Sequence, residues 1–194
     1  MILRVLALIL IAALAAPVHA GPFGVDVDKF TPEAYGCERD ADPSSHLYTC
    51  KSFPKPHPDV GLYKAMYFDG IGLCAIHGFG TTEPTSSTGA SLRSRVDSIS
   101  EQLASKYGPG TKIDTLQNGS LWTEEQYWMM GLSKQDRKYA YFWKGISPPV
   151  DGIVNIVLAS FANTLESGSF LVSFYTLNTS ACDAAKKKSD ASSF

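Results

Sequence analysis

The chain has 194 residues, of which 44% are hydrophobic and 19% charged, and its formal net charge is −2. That size and composition suit one domain with its own core. The weak acidity excludes a nucleic-acid binder, which needs a basic stripe to meet phosphates.

Residues 1–20 read MILRVLALILIAALAAPVHA: a positive Arg4, an apolar run over 5–16, and small residues at Val18-His19-Ala20. The pattern predicts a signal peptide cleaved after Ala20. It is too short for a membrane span, which needs roughly 20 apolar residues, and Pro17 and His19 interrupt it. Losing Arg4 and no acid takes the charge from −2 to −3. No later run is long and apolar enough to cross a bilayer, so the expectation is an exported protein, periplasmic or secreted, without a membrane span once the signal is gone.

Export makes oxidised cysteines the expectation for Cys37, Cys50, Cys74 and Cys182. Four cysteines allow three pairings. Cys37–Cys50 and Cys74–Cys182 are favoured, because the first pair is close in sequence and the second ties the end of the last strand to an early one. A metal site is not expected: no C-x-x-C exists, and Cys74-Ala-Ile-His77 is a lone pair whose period puts the two side chains on opposite faces of a strand. No cofactor is expected either.

From 21 to 50 the chain is loop-rich. Thr31-Pro32-Glu33 has the form of a short helix start. Asp40, Asp42 and Ser44 place oxygens as a calcium loop begins, but Ser45 stands where that loop needs glycine and Lys51 where it needs a closing acid. The segment reads as a polar turn inside a disulfide loop. The prolines of 52–59 impose an extended linker, with His57 as an exposed loop residue.

Residues 62–68 and 72–79 predict two strands joined by an Asp69-Gly70 hairpin turn. The clearest element follows at 88–110. Leu92, Val96, Ile99, Leu103 and Tyr107 recur on one face of a 3.6-residue helix, with Thr88 as the expected N-cap and Gly108-Pro109-Gly110 as the stop. A short strand is expected at 112–116. Thr123-Glu-Glu-Gln126 is a capping-box pattern, flanked by Trp122 and Tyr127 as a hydrophobic staple, and predicts a short helix over 124–133. Strands are expected at 137–144, 152–161 and 169–177. The last two are apolar on both faces, so the sheet is covered on both sides or curls around something. Residues 183–194 read as a flexible polar tail whose Lys186-Lys187-Lys188 run is solvated.

The expected architecture is a single α+β domain over 21–182. A mostly antiparallel sheet of five to six strands carries one long helix and one or two short ones.

Familiar catalytic signatures are missing: no G-x-S-x-G, H-E-x-x-H, P-loop or G-x-G-x-x-G. The strongest functional feature is the aromatic concentration of Trp122, Tyr127, Trp128, Tyr139, Tyr141 and Trp143, which suits a sugar, peptide or protein partner but serves equally to close a core. Asn118-Gly-Ser120 and Asn178-Thr-Ser180 are glycosylation sequons that matter only in a eukaryotic source.

Gly21-Pro22-Phe23-Gly24, the Pro-Lys-Pro-His-Pro-Asp run at 54–59, Leu103-Ala-Ser-Lys-Tyr-Gly108 and Trp128-Met-Met-Gly-Leu132 together resemble a group of exported bacterial proteins of unknown function. That group opens with F-G-x-x-x-G-M-T, and Asp28-Lys29-Phe30-Thr31 departs from its last part. The opening is also similar to small periplasmic domains of the β-lactamase-inhibitor and outer-membrane-assembly type. The resemblance implies a periplasmic address and an interaction role, and supplies no catalytic residues.

Three functions are therefore carried forward. The first is a non-enzymatic exported domain that binds a protein or cell-envelope component. The second is a carrier of an apolar small ligand between helix and sheet. The third is a hydrolase with a site assembled in space from one histidine and a serine or carboxylate.

Overall fold

The computed structural model describes residues 21–191. The expected signal peptide and its cleavage site lie outside them. Among the described residues, nine strands build one sheet: β1 (Cys37–Arg39), β2 (Leu47–Cys50), β3 (Val60–Phe68), β4 (Gly72–Gly80), β5 (Glu83–Pro84), β6 (Thr111–Leu116), β7 (Arg137–Trp143), β8 (Ile153–Thr164) and β9 (Ser167–Thr176). Their order is β1-β2-β3-β4-β9-β8-β7-β6, with β5 added on β9, and every pairing is antiparallel. The helices are α1 (Ala90–Tyr107), α2 (Trp128–Ser133) and α3 (Thr179–Ala191).

This overturns the expected five to six strands bearing one long helix: the molecule is dominated by a nine-stranded sheet, with three helices beside it. The additional strands are β1, β2 and β5, of three, four and two residues. They are too short and polar to display an alternating pattern. Pairing with neighbours defines them, and Cys37 faces Cys50 directly across the β1–β2 ladder. The tail expected from residue 183 is likewise helical through Ala191, continuing α3.

Alternation along the strands creates two faces. On one lie Ile156 and Leu158 of β8, and Phe170, Val172 and Phe174 of β9. They pack with Leu92, Val96 and Ile99 of α1, all six per cent exposed or less. Each such side chain contributes roughly 1.5–3 kcal/mol by leaving water. Close approach depends on Gly168, where a Cβ would come within 2.4 Å of Leu92. On the other face α3 packs on β4, and Phe68, Cys74 and Cys182 form a second small core. Elsewhere that face keeps Leu62 of β3 and Phe161 of β8 exposed.

Both favoured disulfides are present, Cys37–Cys50 and Cys74–Cys182. They fit an oxidising compartment outside the cytoplasm. A register shift leaves Cys74 between Ala75, which pairs with Met66, and Leu73, which pairs with Tyr67. That bulge turns Cys74 to the α3 face and breaks the simple period that set it opposite His77. Among the described residues, no helix is long and apolar enough to cross a membrane.

Helix starts also differ from expectation. Gly89, in the left-handed region at φ 67°, precedes α1 and offers no side-chain cap, while the Thr88 hydroxyl bonds Ser86. The capping box at Thr123 does not form. A 3-10 turn, Glu125–Tyr127, leads into α2 instead, and Gln126 bonds Glu124.

Candidate binding groove

Helix α1 is wet on one side and apolar on the other, but its apolar stripe outlasts the packed core. Leu92 and Val96 are fully buried, whereas Leu103 and Tyr107 are only half-buried. Ile99, Gln102, Leu103, Lys106 and Tyr107 fall on one face at helical spacing. Together they form one wall of a cavity of about 360 Å³. Phe170, Val172 and Phe174, alternate residues of β9, form the floor with Val60 of β3. The remaining walls are the N-terminal segment 21–24 and the proline loop 55–58.

Those two segments are held by backbone geometry. Gly24 N–H donates to Gly21 O at 3.1 Å, and Gly21 N–H to Val25 O at 2.8 Å, closing a tight turn. Phe23 then drops its ring edge-on against Tyr63 (5.0 Å) and Phe174 (5.5 Å). Lys55 N–H donates to Phe23 O at 2.9 Å, joining the two segments. In the proline loop, His57 N–H donates to the Tyr63 hydroxyl at 2.9 Å. His57 Nδ1 accepts from Asp59 N–H at 3.1 Å, which leaves the ring proton on Nε2 to donate to Gln102 Oε1 at 3.2 Å. So His57, expected to be exposed, is half-buried and ties the loop to α1.

The charge of the groove is one-sided. Among the described residues, Lys55 and Lys106 line it, and no Asp or Glu does. Lys106 pairs with Asp151 at 2.6 Å. The Tyr107 hydroxyl is buried and donates to no acceptor among the described residues. Burial, reinforced by Asp151, raises its pKa, so it stays protonated. Among the described residues its walls hold no carboxylate, serine or cysteine, and most of them are apolar, as in sites that hold apolar molecules.

The six aromatic residues named from the sequence do not assemble into a binding surface. Trp128, Tyr139 and Trp143 are two, three and four per cent exposed and belong to the core. The reason is position: Tyr139 and Trp143 project from the helix-covered face of β7, and the Trp128 ring lies between the guanidinium groups of Arg93 (5.4 Å) and Arg137 (5.8 Å). Tyr141 is half-buried beside Trp143. Trp122, half-buried like Tyr141, and the exposed Tyr127 are in edge contact at 5.8 Å, next to Leu121, which is 81% exposed.

Tyr139 and Tyr141 belong to a polar knot in place of a partner site. Both hydroxyls donate to Asp97 Oδ1 at 2.6 Å, and Lys112 Nζ reaches the same oxygen at 3.1 Å. Burial disfavours the Asp97 carboxylate, but these three donors outweigh it and lower its pKa. For Lys112 burial is likewise outweighed, by its bonds to the tyrosines and Asp97, and its pKa rises. Burial, with Asp97, raises Tyr139. Every shift moves a group away from neutrality, the reverse of what general acid–base catalysis at neutral pH requires.

A serine–histidine pair does exist. His77 Nδ1 lies 2.8 Å from Ser173 Oγ on the face opposite α1. Burial, with a smaller push from Lys64, lowers His77 to about 4. Ser173 is two per cent exposed. Among the described residues no carboxylate bonds His77, and the cavity described above does not reach it. The pair lacks both the orienting acid and the access that a hydrolase needs.

No family model, curated protein or solved structure matches this chain. Sequence reasoning did not single out Phe23, Lys55, His57, Leu103 or Tyr107 as a site. The usable signal was an amphipathic stripe that ran one turn beyond its packing partners.

Proposed function

We propose that this chain is a non-enzymatic periplasmic or secreted domain that binds an apolar small molecule, or the acyl part of an envelope component, between α1 and the sheet. One observation carries the reading: a cavity of about 360 Å³, within the size range of ligand sites, walled by Phe23, Leu103, Tyr107 and alternate residues of β9. The described lining is mostly apolar and holds no carboxylate, which favours carriage of an apolar molecule. The oxidised cysteines support export, and the resemblance to exported bacterial proteins supports the periplasm over the medium.

Native mass spectrometry of the protein recovered from its export compartment tests this. The expected result is an added mass of a few hundred daltons that denaturation removes and that Leu103→Trp, which fills the groove, prevents. A bare polypeptide mass that is also unchanged after incubation with decanol would overturn it.

A protein-binding reading is favoured by a separate observation, the exposed Leu121 beside Trp122 and Tyr127. Truncating all three should abolish capture of a partner if that patch is the interface.

A further inference from the structure

Resting on the ligand reading above, we infer that the groove selects single-chain amphiphiles with an anionic head, and that Lys55 meets the head at the mouth. The chain carries 19 acidic against 17 basic residues, yet among the described residues the charged side chains lining this cavity are Lys55 and Lys106. A concavity lined by cations and without acids is attractive to anions.

The two lysines differ in their partners. Lys106 is held by Asp151 at 2.6 Å, so its charge is already answered. Lys55 is exposed, and no described residue pairs with its ammonium. Its backbone is fixed at the rim, between Pro54 and Pro56, by the bond from its N–H to Phe23 O. Gln102 adds a second donor at the mouth. Its carbonyl oxygen accepts from His57 Nε2, which leaves the amide N–H groups without a hydrogen-bond partner among the described residues. An ammonium and an amide at the rim, above an apolar floor of Val172 and Phe174, match a carboxylate or phosphate head with its chain inside. A cavity of about 360 Å³ lies at the small end of ligand sites and suits one chain and not two.

The test is isothermal titration calorimetry of the full exported protein with four ten-carbon ligands: decanoate, decyl phosphate, decanol and decyltrimethylammonium, each below its micelle concentration. The two anions are expected to bind about five-fold tighter than decanol, the gain typical of one partly solvated ion pair, and the ammonium to bind weakest. Lys55→Glu, an exposed substitution that keeps the backbone bond, should remove the anion preference, read as the ratio of decanoate to decanol affinity falling to one or below. A preference for decanoate or for decyl phosphate assigns the head. Equal affinity for decanoate, decyl phosphate, decanol and the ammonium, or a preference untouched by Lys55→Glu, would overturn the inference while leaving the groove reading intact. No binding of any of the four would overturn both.

Discussion

The Tyr139 hydroxyl donates a 2.6 Å hydrogen bond to Asp97 Oδ1, fastening β7 to the middle of α1. Tyr139 is three per cent exposed, and its hydroxyl loses its acceptor when the carboxylate is removed. Asp97→Ala should therefore cost about 1–3 kcal/mol of unfolding free energy, chiefly from the stranded hydroxyl. The exposed Lys112 pair adds little. The folded carboxyl titrates below its ordinary 3.8, so its contribution is complete above that value and fades as pH falls beneath it. Urea denaturation of wild type and variant at pH 7 and pH 3 checks both points: the gap should be wide at the first and narrower at the second.

His77 gives a second pH signature. Its folded pKa, about 4, lies below the ordinary 6.5. Between those values the unfolded chain binds the proton and the folded one does not, so stability falls as pH drops through the window. The loss attributable to this one group is on the order of 3 kcal/mol. Replacing it by glutamine should flatten the stability profile between pH 6.5 and pH 4. An unchanged slope would mean that the imidazole is solvated and titrates normally.

Gly89 and Gly108, at the two ends of α1, separate backbone strain from collision. Both have positive φ, 67° and 78°. A Cβ on Gly89 would lie 2.3 Å from Trp128 Cε3, whereas one on Gly108 meets nothing within 4 Å. Gly108→Ala is expected to cost about 1–3 kcal/mol from conformation alone, because ψ 179° places it where only glycine is at ease, and Gly89→Ala about 2–3 kcal/mol, mostly because the indole must move. Thermal melts of the two variants give the comparison directly.

The disulfides differ in the length of chain they close. Cys74–Cys182 spans 108 residues and Cys37–Cys50 spans 13. In the chain-entropy account, removing the first costs about 4–5 kcal/mol and the second about 3 kcal/mol. Losing the first also frees α3 from β4, so proteolysis at Lys186, Lys187 and Lys188 should accelerate in the Cys74→Ala, Cys182→Ala double variant only.

The parts of this fold that could be read from the sequence are those whose side chains repeat. Leu92, Val96 and Ile99 announced the buried face of α1, and Asp69-Gly70 announced the β3–β4 turn. Short polar strands such as Cys37–Arg39 carry no period and exist because a neighbour pairs with them. The aromatic residues misled for a related reason. Sequence gives the density of tryptophan and tyrosine but not the side of β7 from which Tyr139 and Trp143 project, and that side faces the helices. The groove was hidden because it joins four distant segments. Phe23, Lys55 and Leu103 meet only after the sheet has formed, although the half-used stripe at Leu103 and Tyr107 pointed toward it.

Amide chemical-shift mapping of the labelled protein during titration with decanoate tests the central claim most directly. The account predicts saturable shifts clustered at Phe23, Lys55, His57, Leu103 and Tyr107, and their disappearance in Leu103→Trp. Shifts confined to Leu121, Trp122 and Tyr127, or no shifts at all, would contradict it.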